Sequence, residues 1–260
     1  MQFQWLPATC GLILFLLVWQ LFVVVTGLPP ILLPPPTQVA MALWQERLVL
    51  CRAVTATFAA SMLGLCLSLA SGSILAVVFA QSRWLRSAFI PYIVFLQTVP
   101  VVAIAPLLIT WFGYRFHTVV LVSAIVSLFP VVSNATTGLI SVDPLLVDLF
   151  RIHGASRWQI LIKLRIPNAV RYLVLGLRVS AGLAVIGAIV GELFVGDVIS
   201  RFAGLGTIIN AWQRMVRTDA VIAAIGASTF LGMAVLSIVN LVSTRLLHRW
   251  TDSADFEAQG

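Results

Sequence analysis

The sequence predicts an all-α, polytopic membrane protein with six transmembrane helices. Three observations carry that prediction. Of 260 residues, 60% are hydrophobic and 10% charged, against roughly 25% charged in a typical soluble domain. The apolar residues gather into runs close to the ~20 residues with which a helix crosses a hydrocarbon core of about 30 Å. Between two of these runs lies Ser141 to Arg171, a stretch too charged for a bilayer interior and patterned as two short helices joined by a corner.

Taken in order, the runs are Gly11–Gly27, Thr57–Phe79, Phe89–Trp111, Thr118–Ile140, Leu173–Val195 and Val221–Leu246. The segment ahead of the first has no positively charged region and no small-residue cleavage site follows, so that run reads as a retained span. Pro29-Pro30-Ile31-Leu32-Leu33-Pro34-Pro35-Pro36 then forms a stiff extended crossing, since proline cannot continue a helix. Thr37 can cap an amphipathic segment, Val39 to Leu50, carrying Met41, Leu43, Trp44 and Leu48. Residues 1–36 are thus a peripheral helix with its linker, 37–250 a five-span core, and 251–260 a charged, disordered tail.

The third run contains Pro91, Pro100 and Pro106, with Gln97 and Thr98 beside the central one. Each proline frees a carbonyl that in lipid needs a partner or a watery cavity. The fourth run brings Ser127, Pro130, Ser133, Asn134, Thr136 and Thr137. A polar seam between the two runs follows, either a solute pathway or bonding between helices.

Glu192 is the only acid inside any run. Intramembrane carboxylates are costly and are functional or paired. Arg178 lies 14 residues away on the same run, about 21 Å along a helix. The carboxylate therefore needs another partner, such as Arg201 or Arg214, in a structural ion pair or beside a solute. The loop Gly196–Ala220 holds Gly204-Leu205-Gly206 and an amphipathic helix with Ile208, Ile209, Trp212, Met215 and Val216 on one face. Asn210, Gln213, Arg214 and Arg217 take the other face, so this helix suits the mouth of a central cavity.

The polar stretch is the most legible. It holds five of the sixteen basic residues (Arg151, Arg157, Lys163, Arg165, Arg171), including the only lysine. Asp143 caps a helix that begins at Pro144. Leu145, Leu146, Leu149 and Ile152 share one face, and Gly154 ends it. Ser156-Arg157-Trp158-Gln159 is a capping box for a second helix, which Pro167 closes. Such a corner is a docking surface or, more simply, two helices lying on headgroups. If this loop is cytoplasmic, its side gains Arg83, Arg86, Arg245 and Arg249 for nine basic residues. The other side holds six: Arg47, Arg52, Arg115, Arg201, Arg214 and Arg217. The positive-inside rule then places both termini in the cytoplasm.

Several functions are excluded or disfavoured. The net charge of +7 is spread over loops, with no stripe of Lys and Arg interleaved with aromatics for nucleic acid. Cys10, Cys51 and Cys66 read as small core residues, not as disulfides or metal ligands. Lys163 follows Ile162, so no phosphate-cradling Gly-Lys-Ser/Thr loop exists. His117, His153 and His248 lie far apart at span ends or in loops, and no catalytic pair sits at membrane depth. An ion-coupled secondary transporter normally carries several intramembrane ionisable groups and a matched pair of broken helices. This chain has one acid and one heavily broken run, which leaves the driving energy to a separate subunit reached through the corner.

The corner resembles the "EAA" loop of binding-protein-dependent ABC importer permeases. Asp148-Leu149-Phe150 stand where that loop has Glu-Ala-Ala, Gly154-Ala155-Ser156 form its glycine corner, and Leu164-Arg165-Ile166-Pro167 closes it at the family spacing. Leu149 and Phe150 depart from the pattern. Gln97–Pro106 with Trp111-Phe112-Gly113, Gly187–Glu192 and Gly204-Leu205-Gly206 are similar to the third span, fifth span and outer loop of the nitrate, sulfonate, bicarbonate and thiamine-precursor group, a likeness spanning residues 35–250. The resemblance implies a type I importer fold in the bacterial inner membrane and a homodimer of permeases. It also implies two cytoplasmic ATPase subunits that bind ATP and magnesium, no cofactor in this chain, and a periplasmic or lipid-anchored binding protein that delivers a small solute. Asp148, Arg151, Gly154, Ala155, Ser156 and Pro167 are then the ATPase-coupling residues. Gly204, Gly206 and Trp212 become the outer gate. Gln97, Thr98, Asn134 and Glu192 are assigned to the translocation pathway by their polarity. A pyrimidine precursor or related heterocycle is the expected solute, with nitrate-, sulfonate- or bicarbonate-type anions as alternatives.

Overall fold

The computed structural model describes residues 5–98, 100–195 and 203–257, and among these it is all-α. Helix α1 (Trp5–Thr26) and α2 (Pro36–Gln45) precede the long α3 (Arg47–Gln81). Helices α4 (Arg83–Thr98), α5 (Val101–Phe112) and α6 (Phe116–Ile140) follow. The polar stretch forms α7 (Pro144–Ile152) and α8 (Arg157–Ile160), then a π-helical turn, Leu161–Arg165, that runs directly into α9 (Ile166–Val195). Helices α10 (Leu205–Arg214) and α11 (Thr218–Glu257) complete the chain.

Among the described residues, five helices are long and apolar enough to cross a membrane: Thr9–Thr26, Arg47–Gln81, Phe116–Ile140, Arg157–Val195 and Thr218–Arg245. They match five of the six expected spans. The third expected span is not one helix. Pro100, with ψ 122°, leaves the helical region between α4 and α5, as an imide without an N–H favours. Pro91 and Pro106 lie inside α4 and α5 and do not end them.

The centre is α6, packed against α3 on one side and α9 on the other. The seams are built from residues four apart, all small but Val131: Gly64, Ser68, Gly72 and Ala76 on α3, Ser123, Ser127, Val131 and Ala135 on α6, and Gly176, Ser180, Ala184 and Ala188 on α9. With no hydrophobic drive between helices in lipid, small residues let backbones approach closely. A Cβ on Gly176 would stand 2.7 Å from the Pro130 carbonyl oxygen, and one on Gly64 would meet the Ser123 side chain. Hydroxyls tie the seam: Ser123 donates to the Ala184 carbonyl at 2.8 Å and Ser180 to the Ser127 carbonyl at 2.7 Å.

Helix α1 is peripheral, with Leu12 to Val18 exposed. The amphipathic segment expected to reach Leu50 stops at Gln45, and α3 starts at Arg47, ten residues ahead of the expected span. Cys10, Cys51 and Cys66 are exposed and not core residues; a thiol on the outside of an apolar helix is as compatible with lipid as a buried one. The tail expected to be disordered continues α11 to Glu257, since no proline or glycine interrupts it after Gly232 until Gly260.

Candidate functional site

Three places on the fold hold the residues singled out in the sequence. The first is the corner at α7 and α8. Asp143 accepts the Leu145 N–H at 2.9 Å and Pro144 opens α7. The helix ends in a Schellman motif: Ala155 N–H donates to the Phe150 carbonyl and Gly154 N–H to that of Arg151, both at 2.9 Å, with Gly154 at φ 74°. Ser156 N–H donates to Gln159 Oε1 at 2.7 Å and Gln159 N–H returns to Ser156 Oγ at 3.3 Å, completing the capping box.

Helix α7 buries no residue. Leu145 and Ile152 are 77% and 83% exposed, and Trp158 stands out beside them. The inside of the corner is a concavity of about 440 Å³ lined by Leu149, Phe150, His153, Gly154, Ala155, Gln159 and Lys163. Asp148 and Arg151 form an exposed ion pair at 3.2 Å, worth little in water but charged on both ends. An apolar ridge beside a hollow with a polar rim is an exposed patch of the kind that meets a protein or a membrane surface.

Pro167 does not close the second helix, contrary to the sequence reading. It sits in the first turn of α9, and the helix runs unbroken from Arg157 to Val195. Proline removes the N–H that would bond the residue four back; the wider turn just before it, with Ile166 N–H donating to the Leu161 carbonyl, absorbs the fault.

The second place is the C-terminal end of α9. Glu192 is 3% exposed. Its Oε2 accepts the Thr57 hydroxyl at 2.9 Å and the Gly206 N–H at 3.0 Å. Leu205 N–H donates to Thr57 Oγ1 at 2.8 Å, and the Thr207 hydroxyl to the Glu192 carbonyl at 3.2 Å. The first two N–H groups of α10, which have no partner within the helix, thus end on Thr57 and Glu192. A Cβ on Gly204 would overlap the Glu192 carboxylate, and one on Gly206 the Ile189 carbonyl; glycine alone fits there. The expected arginine partner is absent among the described residues. Arg214 bonds Asn210 instead, and Arg201 lies outside the described residues. In place of an arginine, the Thr57 hydroxyl and the Gly206 N–H at the start of α10 meet the carboxyl group. Glu192 is therefore enclosed by α3, α9 and α10, and the structure does not set it on a pathway. Thr57, which makes this cluster, was not singled out in the sequence; a threonine in an apolar run carries no signal of its own.

Leu205, Ile208 and Trp212 of α10 pack into the main core. Met215 and Val216, expected on the same face, are exposed, because α10 ends at Arg214 and Val216 turns to φ 58°. Arg217 then bonds Glu46 at 2.7 Å, joining the start of α11 to the turn after α2.

The third place is a cavity of about 120 Å³ between α4 and α6, lined by Ile90, Val94, Phe129, Val132, Ser133, Thr136, Thr137 and Ile140. The Thr136 hydroxyl is buried without a partner among the described residues. Thr98 is exposed, its hydroxyl on the Phe95 carbonyl at 2.8 Å, and the side chain of Gln97 lies outside the described residues. Asn134 is not on this cavity. Its amide donates to the Pro130 carbonyl at 2.8 Å and its Cβ faces Gly176 of α9, so it belongs to the α6–α9 seam.

A bundle of apolar helices, with an exposed helical corner at one end and a short helix folded over the other, defines a multi-pass membrane protein. The chain belongs to the binding-protein-dependent transport system inner membrane component family, whose model matches residues 68–253. It is 35% identical over 258 residues to the riboflavin transport system permease protein RibX of Chloroflexus aurantiacus, covering 97% of this chain and 93% of that one. It is 33% identical over 193 residues to the formylaminopyrimidine transport permease protein ThiX of Halalkalibacterium halodurans, covering 74% and 76%. The taurine transport system permease protein TauC of Escherichia coli is 28% identical over 243 residues, 88% and 81%. A chain of a bacterial alginate ABC transporter, solved in complex with a pentasaccharide-bound periplasmic protein, shares the fold with TM-score 0.61 at 16% identity, over 94% of this chain and 98% of that one. The protein is a multi-pass inner-membrane permease subunit of an ABC importer for a small solute; it is not an enzyme, and ATP hydrolysis belongs to a separate subunit.

Proposed function

We propose that this permease imports a nitrogen heterocycle of the flavin or pyrimidine class. The observation that carries the reading is 35% identity along nearly the whole chain to a riboflavin permease, joined by 33% to a formylaminopyrimidine permease. The α4–α6 cavity agrees with it: its lining is aliphatic, aromatic and hydroxyl-bearing, with no charged side chain, as suits a neutral ring rather than a sulfonate or nitrate.

Two copies of the chain would enclose the pathway, with Gln97, Thr98, Ser133, Thr136 and Thr137 along it. Two cytoplasmic ATPases would supply ATP and magnesium, and each would seat α7 and the Gly154–Ser156 corner, with Asp148 and Arg151 at the rim. Both termini then lie in the cytoplasm, and α10, with Gly204, Gly206 and Trp212, forms the outer gate where a periplasmic or lipid-anchored binding protein docks. ATP-driven closure of the ATPases would turn the dimer from inward-open to outward-open.

The test is uptake into liposomes holding the permease with its co-purified ATPase and binding protein. Labelled riboflavin or formylaminopyrimidine is taken up only with ATP, and taurine is not. Uptake of taurine alone would overturn the solute class. Gradient-driven uptake by the permease without the ATPase would overturn the importer mechanism and favour a secondary transporter.

A further inference from the structure

Helices α3 and α9 are tied to each other at both ends. At the inner end, Arg165 of the π-turn donates to the Ala80 carbonyl at 3.0 Å. At the outer end, Thr57 donates to Glu192 at 2.9 Å. The helical path from Arg157 to Val195 is continuous, so the foot of α9 is the docking corner and its head is the cluster that receives α10.

The outer tie has two settings. Thr57 has one hydroxyl proton and two acceptors in reach, Glu192 Oε2 at 2.9 Å and its own helix's Ala53 carbonyl at 3.1 Å. Its lone pair holds the Leu205 N–H in both. With the proton on Glu192, α3, α9 and α10 form one bonded unit. With the proton on Ala53, Thr57 and an ionised Glu192 no longer bond each other, and α10 is held by each of them separately. Thr57 is fully buried, as is Leu205, so no water competes for these groups.

We propose that Thr57 and Glu192 are positioning residues for the outer gate, clamping the start of α10 to α3 and α9 so that the gate follows the motion of α9. This rests on the reading of α10 as the gate and adds the residues that drive it.

The experiment uses the permease with its co-purified ATPase in nanodiscs, as wild type, Thr57→Val, Thr57→Ser and Glu192→Gln. Hydrogen exchange of the peptide bearing Leu205 and Gly206 is read first. Valine keeps the shape of threonine and removes the acceptor, so exchange at Leu205 rises at least about tenfold, while serine restores protection. Stimulation of ATPase activity by loaded binding protein is read second. Thr57→Val loses most of it with the ATPase still bound, Glu192→Gln loses part, and Thr57→Ser keeps it. Equal exchange in Thr57→Val and wild type would overturn the clamp. Faster exchange with unchanged stimulation would overturn its role in gating. A wild-type complex that answers to no binding protein would overturn the importer reading and this coupling with it, while the exchange data still decide whether the clamp holds α10.

Discussion

Arg165 Nη1 donates to the Ala80 carbonyl oxygen, and so the turn beneath the docking corner grips the last turn of a helix 85 positions earlier in the chain. Ala80 is among the final residues of α3, whose carbonyls lack helical partners. Arg165→Met keeps the aliphatic stem and removes the donor, a loss of about 1–2 kcal/mol. Uptake in the reconstituted importer falls several-fold while ATPase co-purification is unchanged. Loss of co-purification instead would place Arg165 in the docking surface itself.

Gly154 stands at φ 74° with open space where a Cβ would go, so its constraint is conformational and not steric. Gly154→Val strains the backbone by roughly 1–2 kcal/mol and reshapes the corner. The permease still folds and reaches the membrane, and its ATPase no longer co-purifies. Gly154→Asn, which tolerates the left-handed region, retains the ATPase.

Val216 closes α10 with the same hydrogen-bond pattern that Gly154 gives α7: Arg217 N–H reaches the Trp212 carbonyl at 2.9 Å and Val216 N–H that of Gln213 at 3.1 Å. A β-branched residue at φ 58° is strained. Val216→Gly raises the thermal melting midpoint of the purified permease, a gain of about 1 kcal/mol. A lower midpoint would mean that the valine side chain is packed against a partner.

Gly206 and Gly226 separate crowding from helix propensity. A Cβ on Gly206 would stand 2.8 Å from Glu192 Cβ, whereas one on Gly226 meets nothing within 4 Å. Gly206→Ala costs about 1–3 kcal/mol through overpacking, seen as a lower melting midpoint and faster proteolysis of the detergent-solubilised protein. Gly226→Ala gains up to about 1 kcal/mol from helix propensity.

The corner was legible to single atoms. Asp143, Pro144, Gly154, Ser156 and Gln159 do what their types do at fixed offsets, because caps and Schellman motifs are closed within a few residues. Spans were legible from length and apolarity alone. The break at Pro100 was legible as a fault, but two helices in place of one span were not. Glu192 marks the limit. Its oddity is plain in the sequence and its charge points to an arginine, yet the partners are a threonine 135 positions earlier and a backbone N–H 14 positions later. Peptide groups are the same at every position, and only the fold says which one arrives. The continuation through Pro167 was hidden for a similar reason, since a π-turn leaves no compositional mark.

The rows of Gly, Ala and Ser between α3, α6 and α9, with Val131 fitted against Gly72, hold three backbones close together. The seam between α6 and α9 is keyed as well as close: Gly138 faces Tyr172, Gly187 faces Val126, and the Ser123 and Ser180 hydroxyls cross from one helix to the other. Bulk sits at the rims, in Leu205, Ile208 and Trp212 at one end and in the uncovered α7 at the other. A bundle keyed in this way carries its central helices together, so that a push on α7 is passed along α9 without being lost in slippage.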